Sequence, residues 1–202
     1  MFITFEGGDG VGKTTQIELL KAALEKEGRS VVVTREPGGN AVAEKIRELL
    51  LDRASVMEDM TEAYLYAAAR AEHVRAVILP ALARGQVVLC DRFIDSSVAY
   101  QGYGRQIGAE RVEALNREAV DGCMPERTYL LTLSEQDAAQ RVKNRGEADR
   151  IESAGEAFAR RVQEGFLRIA AEHPERVMVI DAGRPAEEIA RDIAEDVAKL
   201  KT

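Results

Sequence analysis

Eight residues near the start of the chain, Gly7-Gly8-Asp9-Gly10-Val11-Gly12-Lys13-Thr14, restrict its possible folds more than any other stretch. They fit G-x(4)-G-K-[ST], a spacing that works only between a strand and a helix. Both neighbours are present. Phe2–Glu6 is short, apolar and strand-like, and from Thr15 to Lys26 a stripe of Ile17, Leu20 and Leu24 reads as one helix face. The glycines let successive backbone N–H groups turn inward around phosphate oxygens. The helix N-terminus adds its dipole. Lys13 would reach the β- and γ-phosphates, and the Thr14 hydroxyl would ligate Mg²⁺. A plain glycine-rich turn needs neither side chain. Asp9 does not suit a triphosphate, which would repel it. It either points elsewhere or is a turn aspartate bonded to its own backbone.

The remaining chain alternates in the same way. Strand candidates are Ser30–Arg35, Gln86–Asp91, Arg127–Leu133 and Val177–Asp181, each a short apolar run suited to burial on both faces. Met57 to Arg84 reads as one long helical stretch, bent or frayed at Pro80. The last helix carries Ile189, Ile193, Val197 and Leu200 on one stripe, with Pro185 at its start. Alternating strands and helices imply a parallel sheet covered on both faces. Ligands of such sheets bind at the carboxyl ends of the strands, which places candidate site residues at 7–15, 35–39, 91–105 and 181–183.

Composition narrows the partners. The 202 residues suit a single domain, and 28 basic against 35 acidic side chains give a net charge of −7. That balance argues against binding a nucleic-acid polymer, while leaving room for a local basic site for a small anion. No apolar run is long enough to span a membrane. Two cysteines, Cys90 and Cys123, are too few for a disulfide framework and suit a reducing cytoplasm. Cys90 reads as a small core hydrophobe, and Cys123, in a Gly-Cys-Met-Pro turn, as partly exposed.

Among phosphate-loop proteins, a regulatory GTPase needs Asn-Lys-x-Asp to read its base, and Asn116-Arg117-Glu118-Ala119 does not supply it. Motor ATPases usually carry adjacent acidic residues after a second apolar strand; here Val87–Cys90 runs into Asp91-Arg92. The aspartate can hold Mg²⁺ or its water, and the arginine can neutralise a second phosphate group. That pairing suits a kinase with two phosphorylated substrates. Arg141, Lys143, Arg145 and Arg150 form a second basic cluster around Gly146, fit to close over a transferring phosphoryl group or to be a solvated helix end.

Five segments in order then give a resemblance. They are Phe5-Glu6-Gly7 with the phosphate loop; Arg35-Glu36-Pro37-Gly38-Gly39; Tyr66 through Arg70; Asp91-Arg92-Phe93 with Ser96-Ser97 and Ala99-Tyr100-Gln101-Gly102; and Arg145-Gly146 with Asp149-Arg150-Ile151. Together they closely resemble the bacterial thymidylate kinases. The resemblance implies a nucleoside-monophosphate kinase fold: a single α/β domain over residues 1–202, with a five-stranded parallel sheet, helices on both faces and a lid at about 142–152. It implies transfer of the ATP γ-phosphoryl to dTMP, giving dTDP, with Mg²⁺, in a cytoplasmic homodimer whose apolar faces at residues 57–80 could pack together.

The resemblance also distributes roles. Gly7, Gly8, Asp9, Gly10, Val11, Gly12, Lys13, Thr14 and Thr15 would cradle ATP, joined by Arg141 and Arg145 and, on the adenine side, Asp181 and Ala182. Thr14 and Asp91 would hold the metal. Arg92 would neutralise the dTMP phosphate, assisted by Arg35 and Arg47, since a guanidinium fork grips phosphate bidentately. Asp9 would bind the sugar 3′-hydroxyl. Tyr66 would stack on thymine and Arg70, four residues on and so on the same helix face, would donate to a thymine carbonyl. Ser97 and Gln101 would bond the far edge of the base, with Pro37 near the methyl and Tyr100 against the sugar 2′ position, and Ser96 and Glu36 would also bind dTMP. Some members carry an arginine in the phosphate loop; this chain has Gly10-Val11 there, so the lid must supply it, with Arg145 first and Arg141 or Arg150 behind it. The acceptor phosphate is already an anionic nucleophile, so no general base is needed, and His73 and His173 are left to packing or surface roles. Another nucleotide or deoxynucleoside as acceptor, or a nucleotide-binding switch without transfer, are the competing readings.

Overall fold

The structure, a computed structural model, describes residues 1–133 and 150–200. Five strands form one parallel sheet: β1 (Phe2–Glu6), β2 (Val31–Arg35), β3 (Val87–Asp91), β4 (Arg127–Thr132) and β5 (Val177–Asp181). Their spatial order is β2-β3-β1-β4-β5. The expected strands are all present, within one residue at each end.

Alternation along the central strands builds two cores. Phe2, Val88, Cys90 and Leu130 face one layer, which packs on the helices at residues 59–120 and 156–172. Ile3, Phe5, Leu89, Tyr129 and Leu131 face the other, against α1 (Lys13–Lys26) and the C-terminal helix Ala186–Leu200. Burying such a side chain fully contributes about 1.5–3 kcal/mol, and two-sided burial explains their unbroken apolar runs. The edges differ from the sequence expectation. Val33 on β2 is 46% exposed and Val179 on β5 is 47% exposed, because an edge strand lacks a complete covering layer.

Between β2 and β3 lie α2 (Ala41–Leu51) and α3 (Asp59–His73). Asn40 caps α2 by accepting from the Val42 and Ala43 N–H groups. The expected long helix at 57–84 begins at Asp59 and widens into a π-helical turn over Val74–Ile78 before α4 (Leu79–Ala83). There the Leu79 N–H donates to the Val74 carbonyl, five residues back. Pro80 is the reason: it has no N–H, and its ring would strike the carbonyl four residues earlier in a regular helix.

After β3 the chain forms α5 (Ile94–Ser97) and a second π-helical turn, Val98–Gly104. Then α6 (Ala109–Val120) leads to β4. The long helix Glu156–Glu172, here α7, packs closely against the second π turn. The C-terminal helix is α8. No helix among the described residues is long and apolar enough to cross a membrane. Cys90 is fully buried, as expected; Cys123 is also buried, at 8% exposure, because its side chain joins the core cluster of Phe2 and Val120 while Asp121, Gly122 and Met124 around it face solvent.

Candidate active site

The carboxyl ends of β1, β2 and β3 open onto one region, and the phosphate loop occupies its centre. Gly12, with φ +98°, leads directly into α1, and no side chain caps the first turn. The helix N–H groups are thus left facing the loop, which is what an incoming anion requires. Gly7 has φ +125°, and a Cβ there would lie 2.2 Å from the Leu131 carbonyl oxygen of β4, so only glycine fits. The Lys13 ammonium donates to the loop's own carbonyls, Gly8 at 2.9 Å and Gly7 at 3.2 Å. Asp91 lies 3.8 Å from it. Burial, helped by Arg92, pulls the Lys13 pKa down to about 8 against the pull of nearby carboxylates. Thr14 and Thr15 are exposed at the start of α1.

Asp91 and Thr14 line the same cavity, with Gly10, Gly12 and Lys13. Asp91 Oδ1, the oxygen 3.8 Å from the Lys13 ammonium, is buried with no hydrogen-bond partner. A hard cation would satisfy it. No cluster of three or more His, Cys, Asp or Glu exists among the described residues, and Mg²⁺ in phosphoryl-transfer sites commonly uses only one or two protein ligands plus substrate phosphates. The residues present therefore fit Mg²⁺.

A second cavity adjoins the first. Pro37, Tyr66, Arg70, Ser97, Tyr100 and Gln101 line it. The wall common to both cavities consists of Asp9, Glu36, Arg47 and Arg92. Arg92 takes φ +67°, a left-handed conformation rare outside glycine that costs about 1–3 kcal/mol. The turn directs its guanidinium back over the loop, where it bonds Asp9 at 2.8 Å, the Gly7 carbonyl at 2.9 Å and Ser96 at 3.2 Å. It also lies 5.1 Å over the Tyr100 ring. Burial raises the Tyr100 pKa to about 12, so its hydroxyl stays protonated. Arg35 reaches the phosphate-loop cavity but is held at 2.9 Å by Glu44. Arg47 donates to the Pro37 carbonyl at 2.9 Å. The Glu36–Pro37 bond is cis.

Arg70 is only 2% exposed. Its guanidinium donates to Glu36 at 2.7 Å, Ser97 at 2.8 Å, the Phe93 carbonyl at 2.9 Å and Asn116. Four of its five N–H donors are thereby occupied, leaving one for a ligand. Tyr64 is 56% exposed, which separates it from Tyr66 as sequence spacing requires. His73 is fully buried and bridges Glu36 at 2.9 Å and Thr34 at 2.6 Å, so it supports the wall between the two cavities through Glu36. His173 is 45% exposed beside Glu175.

Two buried acids carry more of the site than the sequence revealed. Glu6 accepts the Phe93 N–H at 2.7 Å and the Ser96 hydroxyl at 2.5 Å. Burial first, then nearby Asp95, raises its pKa to about 7. Glu62 on α3 accepts from Gln101, Arg105 and Arg150. Burial pushes Glu62 up, but these hydrogen bonds outweigh it and its pKa falls below the ordinary value. For Glu62 the signal available in sequence was weak: an acid on a helix face shared with three alanines, Arg70 and His73.

Not every expected residue comes to these cavities. Asp181 ends β5 exposed, accepting the Gly183 N–H at 2.9 Å, and Ala182 is buried with its N–H on the Thr132 carbonyl at 2.8 Å. They sit beside a third cavity that runs from Gly7, Gly8 and Val11 along Thr132 and Leu133 to α7. Arg141 and Arg145, and most of the lid expected at 142–152, lie outside the described residues. Arg150 is described, and it bonds Glu62 and the Leu50 carbonyl rather than facing the phosphate loop.

Residues 5–193 match the family model described as thymidylate kinase. A curated thymidylate kinase of Exiguobacterium sibiricum is 48% identical over 197 residues, covering 97% of this chain and 93% of the relative. That of Clavibacter michiganensis subsp. michiganensis is 52% identical over 196 residues, covering 96% and 92%. The crystal structure of thymidylate kinase from Ehrlichia chaffeensis superposes with a TM-score of 0.79 at 34% identity, covering 98% of each chain.

Proposed function

The chain belongs to the thymidylate kinase family and phosphorylates dTMP, and from that premise we propose how its own residues carry the reaction. The observation that carries the proposal is the shared wall of Asp9, Glu36, Arg47 and Arg92 between a phosphate-loop cavity and a base-sized cavity. An acceptor monophosphate seated with its base among Tyr66, Arg70 and Gln101 has its phosphate at that wall, facing the donor.

ATP lies on the loop from Gly7 to Thr15, with its adenine toward Asp181 and Ala182. Lys13 leaves the Gly7 and Gly8 carbonyls for the β- and γ-phosphates. Arg92 turns from Asp9 to the acceptor phosphate, with Arg35 and Arg47 assisting, and Asp9 accepts from the sugar 3′-hydroxyl. Tyr66 stacks on the base, Arg70 donates to its carbonyl, Ser97 and Gln101 hold its far side, Tyr100 crowds the 2′ position, and Ser96 steadies Arg92 beside the acceptor. An acceptor phosphate oxygen then bonds the γ-phosphorus as the bond to the β-bridging oxygen breaks, releasing ADP and dTDP. No proton has to be removed, because the attacking oxygen is already anionic. The protein's work is positioning and charge neutralisation. Thr14 and Asp91 would hold Mg²⁺, which supplies charge neutralisation on the phosphates when bound. Arg145, with Arg141 as its understudy, supplies the lid charge that Gly10-Val11 omits.

A coupled ADP-release assay across dTMP, dUMP, dCMP, dAMP and dGMP tests the substrate reading. dTMP gives the highest kcat/KM; a different best acceptor overturns it. Arg145→Ala lowers kcat by about 10³-fold or more, and normal turnover in that variant removes Arg145 from the mechanism. We further propose a cytoplasmic homodimer packed through the helices at 57–80, checked by sedimentation equilibrium.

A further inference from the structure

We propose that Glu62 sets the polarity of base recognition: it fixes Gln101 with its carbonyl toward the base, so the site selects an N3–H donor, as in thymine, over the N3 acceptor of cytosine. The proposal rests on the reading that Gln101 borders the base.

A glutamine amide offers two opposite faces, two N–H donors on one atom and an acceptor on the other. Which face meets the ligand is settled by whatever meets the other. Gln101 is 1% exposed, and its Nε2 donates to Glu62 Oε1 at 2.9 Å. An ionised carboxylate can only accept, so the NH₂ must face it and the carbonyl must turn the other way, toward the cavity that Gln101 lines. Glu62 is held as an acceptor by two cations. Arg105 donates to Oε1 at 3.2 Å and to Oε2 at 3.0 Å, and Arg150 donates to Oε2 at 2.6 Å. Glu62 is 1% exposed, so water does not compete for these positions. Glu62 itself does not line the cavity, so it acts as a positioning residue.

The replacement Glu62→Gln makes a sharp test because its own amide must choose. Arg105 Nη2 and Arg150 donate to Oε2, so the new carbonyl stays there and the NH₂ takes the Oε1 position beside Gln101, giving up the longer Arg105 Nε bond. Gln101 then reverses, presenting NH₂ to the base. A site that loses an acceptor for thymine N3–H and gains a donor for cytosine N3 shifts by roughly one hydrogen bond at each, about ten-fold or more. Glu62→Gln should raise the KM for dTMP about ten-fold, with kcat within about threefold. Its kcat/KM ratio of dCMP to dTMP should rise about ten-fold or more. Equal losses for both substrates would make Glu62 a merely structural residue and overturn the proposal. Gln101→Leu separates the two readings: an unchanged dTMP KM there removes Gln101 from the base site, whereas a raised KM with an unmoved Glu62→Gln ratio removes only the role of Glu62. The native chain gives a measurement independent of any variant's folding. The Gln101 side-chain NH₂, followed by NMR hydrogen exchange, should be protected before and after dTMP is added. Protection gained only with dTMP would place the NH₂ on the base and overturn the proposal.

Discussion

At Lys13 the phosphate loop holds a buried cation. Its ammonium has little water around it, and the loop carbonyls take the place of phosphate oxygens. With a pKa near 8, about half of the Lys13 side chains are neutral at pH 8. ATP brings anions that favour the charged form, so binding at pH 8 should take up about half a proton. Calorimetry in buffers of different ionisation enthalpy measures that uptake, and Lys13→Met should abolish it. Gly7 makes a steric prediction in the same loop. Its positive φ, and the Leu131 carbonyl only 2.2 Å from where a Cβ would sit, leave no room for a side chain. Gly7→Ala should lose about 2–3 kcal/mol of stability by denaturant unfolding, with ATP affinity falling in parallel. The glycine pattern was legible in the sequence; the β4 carbonyl that enforces it was not, because that contact joins two strands far apart along the chain.

At the scale of elements, the π turn Val98–Gly104 carries Tyr100 and Gln101 to the cavity lined by Tyr66 and Arg70 and must lie close to α7 to do so. Two glycines permit that approach from opposite sides. A Cβ on Gly104 would come within 2.7 Å of Phe158 and 2.8 Å of Val162, and one on Gly165 within 2.7–2.9 Å of the Tyr103 ring. Arg161 also donates to the Gly104 carbonyl at 3.0 Å across the same seam. Gly165→Ala should cost about 1–3 kcal/mol through overpacking, read as a lower Tm, and should raise the KM for dTMP more than that for ATP, since the displaced element carries base-side residues. Helix periodicity identified the long helix around Pro80, but the extra residue in each π turn was invisible to it. One residue of widening leaves the apolar pattern on either side intact.

Over the whole molecule, the acids beneath the site tie the sheet to the substrate side. Glu6 ends the central strand and holds the Phe93 N–H and Ser96, while Asp95 pairs with Arg176 at 2.6 Å. The Glu6 pKa is raised, from 4.5 to about 7, so the folded chain binds this proton more tightly than the unfolded chain. The stabilisation is complete below about pH 4.5 and is lost as pH rises through about 7. Glu6→Gln, which keeps a neutral group there, should flatten the fall in Tm between pH 5 and pH 8 relative to the native chain. By itself the sequence determined the strand–loop–helix phosphate site, the alternation that makes a parallel sheet, and the Asp91-Arg92 pair at a strand end. Those signals are local, because backbone geometry and apolar period act over a few residues. It also carried the substrate reading, through five segments in order. Tertiary structure alone decided which polar groups face one another. The sequence singled out Arg70, but its commitment to Glu36, Ser97, Phe93 and Asn116 was not legible. Nor was the meeting of Glu62 with Gln101, Arg105 and Arg150. A buried hydrogen bond depends on direction and distance between chain segments far apart in sequence, and no spacing rule encodes either.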